Sequence, residues 1–480
     1  MISSSQTSQD IEMDISRRSA LTAITAGTAL TGLAACSEAQ SSGPDKKTTS
    51  KLPLPDTPSG LLLNKSRAAR VLEENKVDLL ICSQARNVYY LTNQVPMTSR
   101  LGMGDYSYAV LSAKRPDRPV FITGRYNLYL GGAADTDVFN EIDFKLFSFP
   151  EDPVGYGGLT DIQDIINAPV TDAFYPKQHQ DAALPPHIQR KKDRDIKAKQ
   201  AHFATLEGGL LKQLLDTDFK HKTIAIDDPK IRETIAKTDL DVRIVDGDRL
   251  VKKMRLQKSA NEIILHRYAA RANARSARLA ANSIGEGATL QDMRGEFFRG
   301  CGEQTMKPVY MLIDSIVPEL VPREIKRGRT LMIDCVSEFQ GYHGDFGRTV
   351  CVGEPSRKMK QVTDGLSYIW DRILPEVKAG KKYSDLHALA AKLYGETNLD
   401  TGFAINPHNV GLQHTDEPSR ADFGLWMKDD IELQENMILS IDMPLLNNGI
   451  GGTAHLEDLV LIGKDGAELL NTSDDRLIIV

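Results

Sequence analysis

The chain has 480 residues, 41% of them hydrophobic, enough to bury substantial cores and a length that divides more naturally into two or more domains than into one. Its formal net charge of −6, with acidic and basic residues interleaved, leaves no extended cationic face, so nucleic acid is excluded as an expected partner. Its five cysteines (Cys36, Cys82, Cys301, Cys335, Cys351) show neither CxxC pairs nor a metal-ligand rhythm, so neither a disulfide framework nor a structural zinc site is indicated. Cys82 and Cys335, flanked by apolar residues, read as small buried hydrophobes.

At the N-terminus, Ser16-Arg17-Arg18-Ser19 precedes an apolar, small-residue run from Ala20 to Ala35, too short for a membrane-spanning helix but suited to a signal-peptide core. The paired arginines point to twin-arginine export of a folded protein from a bacterial cytoplasm. Leu33-Ala34-Ala35-Cys36 resembles a bacterial lipobox, which implies lipidation and membrane anchoring at Cys36. Residues 1–36 are therefore expected to be an export signal. Residues 37–58, rich in Ser, Thr, Lys and Pro, are expected to be a tether that cannot pack a core.

From 59 to 252, short apolar runs (Val77 to Cys82, Val120 to Thr123) alternate with helix-like segments such as Ser66 to Glu74, which predicts an α/β domain. His179, His187, His202 and His221 lie in charged, solvent-like stretches with no acidic partner at ligand spacing. Pro185 to Lys199 reads as a solvated helix face. A second domain, 253–480, opens with a capping box, Ser259 with Glu262, and a helical repeat of small and apolar residues that ends at Gly285 and Gly287. Helices are expected over Leu290 to Arg299 and Met359 to Lys378. His266 and His387 are read as helix-surface residues. Apolar strands around Asp334, Asp345, Asp442 and Glu457 make the fold class α+β, with an antiparallel sheet.

The chemistry concentrates in those strands. If the hairpin from Leu331 to Val350 is symmetric about Phe339 and Gln340, Asp334 and Asp345 face each other across it, and His343, inside the turn, has no acidic partner of its own. A second hairpin flanks the Gly-rich loop Asn447 to Gly452 and sets Asp442 opposite Glu457. Carboxylates so placed in apolar strands repel unless a cation or a shared proton compensates. With the histidine of Pro407-His408-Asn409-Val410-Gly411, they form an oxygen-rich, one-nitrogen set suited to Mn, Co, Zn or Fe.

Asp334, GYHGDFGRT ending at Thr349, HNVG at His408 and GTAHLED at Glu457 resemble the pita-bread metallohydrolases: methionine aminopeptidase, prolidase, aminopeptidase P and creatinase. Asn87 to Thr92 and the Arg255 to Glu262 entry resemble the N-terminal domain and linker of the prolidase and creatinase branch. The resemblance implies a pita-bread domain behind a creatinase-type N-terminal domain, and a homodimer. It also implies two divalent ions held by Asp334, Asp345, His408, Asp442 and Glu457. His414 then becomes the residue that bonds substrate or relays a proton to the leaving amine, and His455 stands where relatives often carry arginine. Both enter as catalytic candidates.

Four departures bear on substrate. Asp442 stands where glutamate is usual. His414 follows His408 by six residues where seven is usual, which would align Thr415. Pro407 and Asn409 replace flanking glycines, and no histidine occurs between Met306 and Thr330. The sequence thus implies a metal-dependent hydrolase of Xaa-Pro type acting on a small peptide outside the cytoplasm. A creatinase-like hydrolase of small C–N compounds and a silent binding module are the alternatives.

Overall fold

The computed structural model describes residues 51–102, 106–130, 137–171, 183–197, 202–217, 222–314, 323–397, 399–418, 429–446, 449, 451–471 and 475–480. The expected export signal, the lipobox at Cys36, most of the tether, His179 and His221 lie outside them. Among the described residues no helix is long and apolar enough to cross a membrane.

Two sheets fall on either side of residue 253. The first is a mixed sheet of strands β1 (Leu79–Cys82), β2 (Ser107–Ser112), β3 (Arg115–Gly124), β4 (Asp143–Phe147), β5 (His202–Phe203), β6 (Lys222–Ile226) and β7 (Val242–Asp246), ordered β5-β4-β3-β2-β1-β6-β7. β1 is apolar and buried throughout, as a central strand covered on both faces must be. Helices Lys65–Glu74 and Leu206–Leu215 supply that cover with buried Val71, Leu72, Leu210 and Leu214.

The second sheet comprises β8 (Lys307–Ile313), β9 (Thr330–Phe339), β10 (Tyr342–Cys351), β11 (Asn406–Asn409), β12 (Ile438–Leu445), β13 (Ala454–Ile462), β14 (Ala467–Leu469) and β15 (Leu477–Ile479). Its path is β11-β12-β13-β10-β9-β8, with β14 added to β13 and β15 to β10. All pairs are antiparallel except β10 with β15. The fold is therefore α+β with an antiparallel second sheet, as the strand patterns predict.

Helix Ala260–Asn282 starts at the expected capping box: Ser259 Oγ accepts from Glu262 N, and Glu262 Oε2 accepts from Ser259 N at 2.7 Å. Small residues let it lie close to the sheet, where a Cβ at Gly344 would stand 2.4 Å from the Ala269 carbonyl oxygen. Asn273 fixes the contact, donating to Cys335 O at 2.7 Å and accepting from Ser337 Oγ at 2.7 Å.

Several expectations need correction. His266 is buried, its ring 4.8 Å from that of Tyr342, because this alanine-rich helix is enclosed on more than one face. Helix Pro186–Lys197 is not a wholly solvated face, since its Asp195 is buried and takes Arg125 and His202 at 3.1 Å each. His202 therefore has an acidic partner, supplied from a different element. The end of the tether also packs: Leu52 rests against the core and its N–H donates to Gln304 Oε1 at 3.0 Å.

The β9–β10 hairpin turns on Gln340 and Gly341, both left-handed (φ 52° and 82°), the two-residue loop whose twist suits adjoining strands. Phe339 therefore pairs Tyr342, and Asp334 faces Gly347 rather than Asp345, which faces Val336. His343 belongs to β10 rather than the turn. It is buried, 3.9 Å from Glu338, which corrects the expectation that it lacks an acidic neighbour. A two-residue slip preserves parity, so Asp334 and Asp345 still share a face.

Candidate metal centre

Strand register lays the site out in rows across the curved sheet. Asp334 of β9 pairs Gly347 of β10, which pairs Glu457 of β13, which pairs Asp442 of β12. Side chains two residues apart on a strand share a face, so Asp345 and His408 occupy the next row on that face, His408 opposite Ser440. His455 occupies the row on the other side. Three strands thus bring carboxylates to one line, and Gly347 leaves a gap in it where they converge.

All five expected ligands come together. Donor atoms of Asp334, Asp345 and Glu457 lie within 4.8 Å of one another, as do those of His408, Asp442 and Glu457, and of Asp345, His408 and His414. His408 Nε2 stands 3.7 Å from Asp345 Oδ2 and 3.9 Å from Glu457 Oε1. Ser440 Oγ donates to Glu457 Oε1 at 2.6 Å and fixes that carboxylate. The buried oxygens Asp334 Oδ1, Asp345 Oδ1 and Glu457 Oε2 have no hydrogen-bond partner. Buried acceptors left so are costly unless a cation serves them.

Of the two candidate second histidines, His414 rather than Thr415 meets the centre, its Nε2 3.2 Å from Asp345 Oδ2. Its side chain is 32% exposed, against 0–2% for Asp345, His408 and Glu457, so it forms the solvent side of the cluster. His455 is buried and reaches Asp442 Oδ1 at 2.7 Å.

Several supporting residues are not legible in the sequence. Asp416, buried, takes Arg255 through Nε and Nη2 (3.0 and 2.7 Å) and the Leu412 amide at 2.9 Å. Glu417 Oε2 accepts from Asn409 N and Tyr383 Oη, both at 2.8 Å. Asn409 Oδ1 receives Lys258 Nζ at 2.7 Å, which gives the asparagine in place of glycine a use: it ties the linker to the histidine strand. Tyr310, whose ring lies 5.7 Å from that of His414, borders the same space. The contacts of Arg255 with Asp416, Lys258 with Asn409, Tyr383 with Glu417 and Tyr310 with His414 join residues far apart in sequence, and none has a local motif.

Electrostatics mark the cluster as short of positive charge. Burial, then the neighbouring Asp345, pushes Asp334 up to about 7. Burial and Asp345 likewise drive Glu457 well above the usual range. For His414 burial opposes the charge, but Asp345 overrides it and lifts the imidazole to about 9. Asp345 is itself depressed: burial opposes ionisation, and His414, then His408, overcome it.

Protein stripped of metal by a chelator is expected to lose stability as pH rises. A carboxyl raised from 3.8 to about 7 and a histidine raised from 6.5 to about 9 each bind more protons folded than unfolded between those values. Stability then falls as pH rises, first through about 7 and then through about 9. The melting temperature of metal-free protein should drop across that range, and added divalent metal should flatten the slope. A metal-free melting temperature that rises through the same range would contradict the electrostatic picture.

Residues 265–464 match the model of metallopeptidase family M24. The Xaa-Pro dipeptidase of Pyrococcus horikoshii is 26% identical over 242 residues, an alignment covering 48% of this chain and 67% of that protein. Several other curated relatives are matched over less than half of their length. Among solved structures, an Xaa-Pro dipeptidase from Bacillus anthracis aligns with a TM-score of 0.60 at 18% identity, covering 87% of this chain and 99% of that one. X-Pro aminopeptidase from Thermotoga maritima aligns at 0.56 and 18%, covering 87% and 99%. The pita-bread fold expected of the second half is the fold these proteins share with it.

Proposed function

We propose that this chain is a metal-dependent hydrolase of the pita-bread type that cleaves Xaa-Pro peptide bonds. The observation that carries the reading is the convergence of four carboxylates and His408 around buried oxygens that have no hydrogen-bond partner. The match of residues 265–464 to the M24 family and the similarity to Xaa-Pro dipeptidases support the reaction type.

The donors fit a pair of divalent ions of the Mn, Co, Zn or Fe class. Asp334, Asp345 and Glu457 would hold one; His408, Asp442 and Glu457 would hold the other. When bound, such ions supply Lewis acidity, lowering the pKa of a water and polarising a scissile carbonyl. The chain's own residues do the rest. Ser440 aims Glu457, and Asp345 holds His414 at the solvent side. There the imidazole is placed to hydrogen-bond substrate or relay a proton to the leaving amine.

A creatinase-like reading on small C–N compounds is favoured by one feature: the stretch from Met306 to Thr330 has no histidine, and Tyr310 stands beside His414 instead. A silent binding module would have no physical reason to keep buried acids clustered. Export, lipidation at Cys36 and a homodimer belong to the same proposal and rest on sequence alone.

The test is hydrolysis of a panel of Xaa-Pro dipeptides, longer Xaa-Pro peptides and small amides or amidines, with a chelator control and metal add-back. Turnover of proline peptides that chelation abolishes and metal restores is the expected result. Turnover of only the small amides selects the creatinase-like reading, and tightly held metal with no turnover defeats the peptidase reading.

A further inference from the structure

Of the two imidazoles at the centre outside the five-ligand set, His414 has a place in the proposed reaction and His455 has none, yet the setting of His455 is tightly built. Its backbone N–H donates to Thr349 Oγ1 at 2.9 Å, and the same hydroxyl donates to His455 O at 3.1 Å. The ring leans over Gly347, where an added Cβ would stand 2.3 Å from Cε1 and 2.4 Å from Nδ1. Glycine at 347 is therefore what admits the ring to the row of carboxylates.

The ring's two nitrogens face different partners. Nδ1 lies 3.0 Å from the carbonyl oxygen of Ile333, which can only accept, so Nδ1 carries the hydrogen. In the neutral ring Nε2 then presents its lone pair. That lone pair faces Asp442 Oδ1 at 2.7 Å and Glu457 Oε2 at 3.6 Å, and Glu457 Oε2 has no hydrogen-bond partner. Nε2 thus stands within reach of an oxygen of each of two carboxylates in the expected ligand set. With metal–donor distances of about 2.1 Å, adjacent donors in an octahedral shell stand about 3.0 Å apart, and the two observed separations straddle that value.

We propose that His455 Nε2 is a sixth metal ligand, joining Asp442 and Glu457. Glu457 then has an imidazole on each side, His408 toward Oε1 at 3.9 Å and His455 toward Oε2 at 3.6 Å. Nitrogen from His455 thereby makes up for the shorter reach of aspartate at 442. This inference rests on the two-ion reading above.

The experiment loads the full chain and its His455→Gln variant with Co²⁺. Metal content, visible absorption and the exchangeable, hyperfine-shifted proton signals of cobalt-bound imidazoles are then recorded. Wild type should bind two ions and show at least two such signals. His455→Gln keeps an N–H for Asp442 but has no imidazole; it should lose one signal, change the absorption and bind one ion at least about tenfold more weakly. Unchanged signals, absorption and affinity in that variant would show that His455 merely hydrogen-bonds Asp442, and would overturn the assignment. Fewer than two imidazole signals in wild type overturns it without any variant. Absence of cobalt from wild type marks the different failure, that of the two-ion reading itself.

Discussion

Asp345→Asn is expected to strip the centre of metal and to lower kcat/KM by more than about 10³-fold. Asp345 belongs to two of the three ligand-range groups, and its Oδ2 lies 3.7 Å from His408 Nε2 and 3.2 Å from His414 Nε2. Asparagine has the same shape, so the sheet should still form. It lacks the negative charge, however, and can turn N–H groups toward a site that needs acceptors. Transition-state charge stabilisation by bound metal is worth several kcal/mol, and about 1.4 kcal/mol is a factor of ten in rate. The variant also has a readout independent of turnover. His414 is held at about 9 chiefly by Asp345, so in metal-free Asp345→Asn its titration should fall back toward 6.5, visible by NMR. Retained metal with wild-type turnover would remove Asp345 from the ligand set.

What the sequence disclosed of this centre was what local periodicity carries. Alternation of period two put Asp334 and Asp345 on one face, and Asp442 opposite Glu457, because those facts survive any register error of two residues. The hairpin's own register did not survive. It depended on Gln340 and Gly341 both adopting left-handed backbone, and glutamine gives little warning of that. His266 is buried rather than on the helix surface for a related reason. On a helix rich in alanine, the small residues that look like tolerant surface are what allow close approach to the sheet. Contacts that need the whole chain, such as Arg255 with Asp416 across 161 positions, have no local signature. The departures from the family pattern, Asp442 and Asn409, were visible as departures. Their partners, His455 and Lys258, become evident only in three dimensions.

The segment between the two histidines depends on that long-range pair, and Arg255→Met is expected to destabilise the protein by about 3–5 kcal/mol, the cost of removing one partner of a buried ion pair. Arg255 and Asp416 have side-chain exposures of 1% and 0%. The guanidinium also donates to Asn87 Oδ1 at 2.6 Å and to Gln413 Oε1 at 3.2 Å, so it spans both halves of the chain. Burial disfavours the Asp416 charge, but Arg255 outweighs it and holds the carboxyl below its usual range. Without Arg255 the buried carboxylate keeps only the attraction of Lys258 and its bond from the Leu412 amide, although Glu417 still holds Asn409 N. Arg255→Lys should recover only part of the loss, because an ammonium cannot reproduce the two-pronged contact through Nε and Nη2. Denaturant midpoints should be compared in chelator, so that metal binding does not mask the difference. The metal-loaded variant should in addition bind its ions more weakly, since His408 and His414 lie on either side of the segment that Asp416 anchors. A midpoint within error of wild type would mean that the pair contributes nothing beyond what a methionine of similar volume supplies, and that the positioning of His414 has another source.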